Sequence, residues 1–183
     1  MEFAWKPLDW ERAASLLAIL RHDAAALRKL DERLTESWPP NTTHPDATGY
    51  KEMAAAAYTL HNLYNAMENS FEQISRTFEN HVVDEAQWHK ELLGKMFLEI
   101  PGVRPALLPE SLRGIGNDLR GFRHIFRHSY HFDLDRVRLD TLIAEWRNQR
   151  DAIFDAYAKY ERFLIAAVAN RTDPPTRSPS PLD

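Results

Sequence analysis

Between Met53 and Phe78 the apolar residues Met53, Ala57, Leu60, Tyr64, Met67, Phe71, Ile74 and Phe78 recur alternately four and three residues apart. That spacing draws one apolar stripe along an α-helix of about seven turns, and it is incompatible with the two-residue alternation of a strand. A helix this long hides such a stripe only against other helices. The chain is therefore constrained to a helical bundle.

The flanking segments repeat the pattern. Asp9 is placed to cap a first helix in which Trp10, Ala13, Leu17, Leu20, Ala24, Leu27 and Leu34 recur at threes and fours, and Trp38-Pro39-Pro40 ends it. Asp84 with Gln87 resembles a capping box for a third helix through Trp88, Leu92, Met96 and Ile100, closed by Pro101-Gly102. After the proline-punctuated connection PGVRPALLPE, a fourth helix is expected from about Pro109 to about Tyr130, weakened in its first half by Gly114 and Gly116. Asp133 or Asp135 caps a fifth, whose seam is Leu139, Leu142, Trp146, Ile153, Tyr157, Tyr160 and Leu164. From Asn170 onward the sequence is rich in proline and serine without an apolar period. The fold predicted is all-α: an antiparallel bundle of about five helices over residues 1–169, followed by a disordered tail over 170–183.

Charge and composition exclude several roles. A formal net charge of −4 argues against a protein that coats nucleic acid or an anionic membrane through bulk positive charge. Any polyanion site must be local. Without cysteine there is no disulfide framework and no thiolate metal site, which agrees with a reducing cytoplasm. The opening MEFAWKPLDW lacks the basic-then-apolar order of a secretory signal, and the charge-free run from Met53 to Met67 holds His61, Asn62 and Asn65 and is too short to span a bilayer. The expectation is a soluble, cytoplasmic protein.

The local site is offered by GFRHIFRHSYHF, residues 121 to 132, which gathers two arginines and three histidines without a carboxylate. On a helical wheel of about 100° per residue, Arg120, Arg123, His124, Arg127, His128, Tyr130 and His131 fall on one side. Leu119, Phe122, Ile125, Phe126, Ser129 and Phe132 fall on the other. A polar helix face is ordinarily only a solvated one. This face, however, sets Arg123 and Arg127 at i, i+4, which costs a helix a few tenths of a kcal/mol, and it contains neither the lysine nor the glutamate of a face chosen for solubility.

Arginine brings a permanent charge and a donor fork that fits phosphate oxygens, and histidine exchanges a proton near neutral pH. Together they suit phosphodiester cleavage without a metal: an imidazole moves the proton, and a guanidinium stabilises charge on the phosphorane. Neighbouring guanidiniums also hold an imidazole in its neutral, base-competent form. A metal site is the alternative, because His124, His128 and His131 stand at i, i+4 and i+7. Against it, Arg120 and Arg127 would repel a dication, and no HExxH glutamate is present.

Arg123-His124-x3-His128-x-Tyr130 resembles the Arg-polar-x3-His signature of the HEPN superfamily, with the trailing tyrosine of HepT-like ribonuclease toxins. The segments LHNLYNAMENSFEQI, QWHKELLGKMFLEIPGVRP and LRGFRHIFRHSYHFDLD and the final amphipathic helix extend the resemblance over roughly Ala54 to Ala167. It implies an all-helical homodimer that cleaves RNA (tRNA or mRNA) without metal or other cofactor, as the toxin of a toxin–antitoxin pair. It also implies a minimal nucleotidyltransferase antitoxin that transfers AMP to the motif tyrosine. Carried over, Arg123 and His128 are catalytic, His124 is the supporting polar residue beside Arg120 and Arg127, and Tyr130 is the AMP acceptor. His124 stands where the commoner form has asparagine. A HEPN fold serving only as a binding module for nucleotide or partner is the other reading, with the same basic face used for anion recognition.

Helical geometry bears on the dimer separately. Residues five apart point about 140° apart, so Arg123 and His128 of one straight helix do not converge on one phosphate. A twofold axis would place the arginine of one chain near the histidine of its mate, and a composite site is expected.

Elsewhere, His61, Asn65, Glu68 and Glu72 line a polar stripe of the second helix. The ordinary reading of such a stripe is a water-facing surface, and bordering the active-site cleft is the less favoured one. His89, beside Trp88, reads as a helix-terminal histidine. Trp5, Trp10 and Trp38 read as core or dimer-surface anchors rather than base-stacking platforms, because they sit at helix entries and exits.

Overall fold

The computed structural model describes residues 10–39, 49–79, 88–128 and 134–169, without the side chains of Trp88, His89 and His128. Helices α1 (Trp10–Ser37), α2 (Tyr50–Phe78), α3 (Trp88–Met96), α4 (Arg113–His128) and α5 (Arg136–Ala169) pack as an all-α bundle. One 3-10 turn, Glu110–Leu112, leads into α4. No strand occurs among the described residues. The expected N-cap at Asp9, the expected capping box at Asp84-Gln87, Asp133, Trp5 and the 170–183 tail lie outside the described residues.

The apolar stripe from Met53 to Phe78 forms the centre of the molecule. Ala57, Leu60, Tyr64, Met67, Phe71 and Ile74 are all buried, and Met53 and Phe78 are half-buried at its ends. The α5 seam, from Leu139 to Leu164, is buried as expected. Asp135 caps α5 by accepting from the Val137 N–H at 2.9 Å.

The α1 seam differs from expectation at two positions, each shifted by one residue. It runs through Ala13, Leu16, Leu20, Asp23, Leu27 and Leu34, and leaves Leu17 and Ala24 half-buried. An aspartate sits inside it because α2 supplies donors there: Ser70 Oγ at 2.8 Å and Asn69 Nδ2 at 2.9 Å. A buried carboxylate is tolerated when its oxygens are hydrogen-bonded. One turn pair further along, Asp31 accepts from Trp146 Nε1 at 2.7 Å and from Arg150 Nη1 at 2.9 Å, tying α1 to α5. Trp38 is buried and donates to Asp140 at 2.8 Å, so it is a core anchor, whereas Trp10 is partly exposed.

Helix α3 stops at Met96, four residues before the expected end at Ile100. The reason lies ahead in the chain. Ile100 and Arg104 pair through their backbones around Gly102, whose φ of 72° favours glycine, and the turn sends the Arg104 side chain back beneath the helix end. That guanidinium is fully buried and uses all its N–H groups. It donates to Lys95 O, Leu98 O and Pro105 O, and twice to Glu79 at the end of α2. A cation on the terminal carbonyls is the helix's C-terminal cap.

Helix α4 begins at Arg113 rather than near Pro109, since the three residues before it form the tighter 3-10 turn. Gly116 does not weaken it to no purpose. A Cβ there would stand 3.3 Å from Leu93 Cδ1, so the bare backbone allows α3 to approach.

Candidate functional site

Helix α4 lies against α2, and the residue pairings show that the two run antiparallel. Phe126 stacks near His61, with ring centroids 5.1 Å apart, and Arg123 reaches Asn65 and Glu68 one and two turns further along α2. Leu119 is buried beneath α4, and Phe122 and Phe126 are half-buried and stack on each other at 5.8 Å. Of the apolar side of the wheel, Leu119, Phe122 and Phe126 dock as expected, Ile125 is exposed, and Ser129 and Phe132 lie outside the described residues.

The basic side divides. His124 and Arg127 are exposed and Arg120 is half-buried at its base. Arg123 turns inward, and its side chain is only 12% exposed. Its Nε donates to Asn65 Oδ1 at 2.6 Å, and its Nη2 lies 2.8 Å from Glu68 Oε2. Asn65 in turn places its Nδ2 2.9 Å from His61 Nε2. The four residues His61, Asn65, Arg123 and Glu68 thus form one connected polar row between the helices.

This corrects the assignment of the α2 stripe to water. His61 and Asn65 are half-buried, Glu68 is buried, and all three face α4. Glu72, one turn on, matches the water-facing reading, pairing with Arg76 at 2.5 Å on the surface. The i, i+4, i+7 spacing of His61, Asn65 and Glu68 was a visible signal. What it lacked was the identity of the helix beside it.

Electrostatics in the row are one-sided. Burial first, then the Arg123 and Arg127 charges, push the His61 imidazole below its ordinary value, so it is neutral at physiological pH. Burial, with Glu68 nearby, raises the Tyr64 phenol well above its ordinary value and leaves it outside proton chemistry. Asn65 is oriented by what surrounds it. A guanidinium only donates, so the amide oxygen faces Arg123 and the amide NH2 faces His61. His61 Nε2 is then the acceptor, and the ring proton sits on Nδ1.

His128 closes α4. Its side chain, Tyr130 and His131 lie outside the described residues, and with them the three-histidine metal reading and the tyrosine acceptor. Among the described residues no helix is long and apolar enough to cross a membrane.

An all-helical bundle in which an arginine-rich helix carrying Arg-x4-His packs against a long central helix has the architecture of the HEPN class. A family model described as HepT-like protein matches residues 55–164, from the first half of α2 through the motif to the end of the α5 seam. The chain belongs to the HepT-like family. No curated protein and no solved structure matches it.

Proposed function

We propose that the protein is a metal-independent endoribonuclease and the toxin of a toxin–antitoxin pair. In this reading His128 takes the proton from a ribose 2′-hydroxyl, and the freed oxygen attacks the adjacent phosphorus. The P–O5′ bond breaks to leave a 2′,3′-cyclic phosphate, and the departing 5′ oxygen takes a proton from a second imidazole. Arg123 stabilises the charge on the phosphorane, and Arg120, His124 and Arg127 draw the RNA backbone to the helix. Because residues five apart on an ideal helix diverge, as Arg123 and His128 are spaced, the site is completed by the twofold-related copy in a homodimer. Tyr130 is the acceptor through which a minimal nucleotidyltransferase antitoxin, transferring AMP, silences the enzyme.

The observation that carries this reading is the coincidence of the family match over residues 55–164 with an arginine-histidine face on α4. The test is incubation of the protein with end-labelled tRNA and mRNA in EDTA, beside the Arg123→Ala and His128→Ala variants. Cleavage leaving 2′,3′-cyclic ends in EDTA, lost in both variants, is the expected result. Cleavage abolished by EDTA moves the assignment to a histidine metal site. A folded protein with unmodified Tyr130 that cuts nothing moves it to a binding module that recognises anions with the same face.

A further inference from the structure

The connected row beneath α4 carries a consequence for Arg123 that the motif does not contain. Asn65 has one amide, and its two ends answer to different neighbours: the oxygen to Arg123 Nε at 2.6 Å, the NH2 to His61 Nε2 at 2.9 Å. The arrangement is consistent only while His61 Nε2 keeps its lone pair. An imidazolium has N–H at both ring positions and accepts nothing. Once His61 is protonated, its Nε2–H points at the amide NH2, donor against donor. Turning the amide over repairs that clash but aims the NH2 at the guanidinium, again donor against donor. No orientation of Asn65 serves both cations.

We propose that Asn65 is a positioning residue for Arg123, and that the protonation state of His61 decides whether Asn65 holds it. With His61 neutral, Arg123 is gripped at two points, by Asn65 and by Glu68. With His61 charged, the Asn65 contact is lost and Glu68 alone remains, so the guanidinium pivots about its ion pair.

The surroundings set the pH at which this happens. Among the described residues, the charged groups facing the imidazole are Arg123 and Arg127 from α4, both cationic; on its own helix, Glu68 lies beyond Asn65 and is engaged by Arg123. The other ring nitrogen, Nδ1, is buried without a hydrogen-bond partner among the described residues, so none of them offers the ring's proton an acceptor. Burial and the two arginines all oppose the charged form, which places the transition below the ordinary histidine value of about 6.5. The grip on Arg123 is complete at neutral pH and loosens on acidification.

The inference takes its functional meaning from the ribonuclease reading, yet the relay is measurable without RNA. Nitrogen-15 NMR of the full chain reports the His61 tautomer and the exchange of the Arg123 Nε proton, with assignments made through the His61→Gln and Arg123→Lys variants. Expected at neutral pH is a His61 ring protonated on Nδ1 and a slowly exchanging Arg123 Nε–H. On acidification that proton exchanges roughly tenfold faster, with the same midpoint as the His61 ring. Two variants separate the relay from mere packing. His61→Gln offers Asn65 a carbonyl that does not titrate, so Arg123 stays protected throughout the acid range. Asn65→Asp offers a carboxylate that accepts from guanidinium and imidazolium alike, so the His61 midpoint rises and Arg123 is no longer released. An Nε2-protonated ring at neutral pH, or an Arg123 signal indifferent to His61 titration, overturns the proposal. Where RNA is cleaved, the relay also predicts that the acid limb of kcat, rather than KM, follows His61 and changes in both variants. A relay that behaves as described in a protein that cuts nothing would count against the ribonuclease reading alone.

Discussion

Replacing Glu79 with alanine should destabilise the fold more than any exposed ion pair would. Arg104 has no exposed side-chain surface, and its partner carboxylate is 11% exposed. Glu79 accepts from Arg104 Nε at 3.2 Å and Nη2 at 2.5 Å, and its other oxygen lies 3.0 Å from Lys95 Nζ. Truncation leaves two cations together. Lys95, whose side chain is partly exposed, can shift toward water. Arg104 is held beneath α3 by three backbone carbonyls and stays buried, so breaking its pair costs about 3–5 kcal/mol. Glu79→Gln keeps an acceptor oxygen and loses only the charge, for about 1–3 kcal/mol. With a urea m-value of about 2 kcal/mol/M, the alanine variant should unfold at a midpoint about 2 M lower than wild type, the glutamine variant between them.

Acid should narrow the gap. Burial alone would raise the Glu79 carboxyl, but the hydrogen bonds and charges of Arg104 and Lys95 outweigh it and hold the group below its ordinary value. A depressed carboxylate stabilises the fold fully above its unfolded pKa of about 4.3 and loses that contribution as pH falls through the lower folded value. Wild type should therefore lose stability below about pH 4.5 more steeply than Glu79→Gln. A midpoint change worth less than about 1 kcal/mol for the alanine variant at pH 7, with m unchanged, would refute the claim that this pair anchors the end of α3.

Three further substitutions test other parts of the fold. Asp31→Ala should lower stability by about 1–3 kcal/mol in thermal or urea unfolding, because it strands the buried Trp146 Nε1–H and the Arg150 guanidinium, whereas Asp31→Asn, which keeps one acceptor, should cost less. Gly121→Ala, where a new Cβ meets nothing within 4 Å, should raise stability by about 0.5–1 kcal/mol. Gly116→Ala should fall short of that gain by about 1 kcal/mol or more, since its methyl would press on Leu93 Cδ1 at 3.3 Å.

The helices α2 and α5 were legible in the sequence because a periodic apolar stripe runs along each, and apolar spacing is the signal a helix writes most plainly. The α1 seam was legible to within one position. Leu16 and Leu17 are equally apolar, and Ala24 looks a better core residue than Asp23 until Ser70 and Asn69 of another helix are known to satisfy it. The end of α3 was hidden for the same kind of reason. Its cap is the Arg104 side chain, which returns from eight residues beyond the helix through a turn at Gly102. In each case the missing information was a contact between elements, which periodicity within an element does not contain.

The same limit explains the candidate site. A run of arginine and histidine without carboxylates marked α4 as a site of its own, and the wheel separated its docking face from its basic one. Yet the wheel treated Arg123 as one more member of that basic face. In the fold it is the member turned inward, because α2 places a carboxylate at Glu68 and an amide at Asn65 where the guanidinium reaches them. An exposed arginine keeps the rotamer freedom of a long side chain, and ordering it costs up to about 2 kcal/mol. Held at two points, Arg123 has already lost most of that freedom before any anion arrives. His124 and Arg127 on the same helix remain exposed. The helix thus combines a fixed guanidinium with an outer guanidinium and imidazole, and that division of labour suits the proposed site, where a backbone is first attracted and then held against one charge of defined position. The stripe on α2, read from sequence as surface, is what makes the difference between the two kinds of arginine.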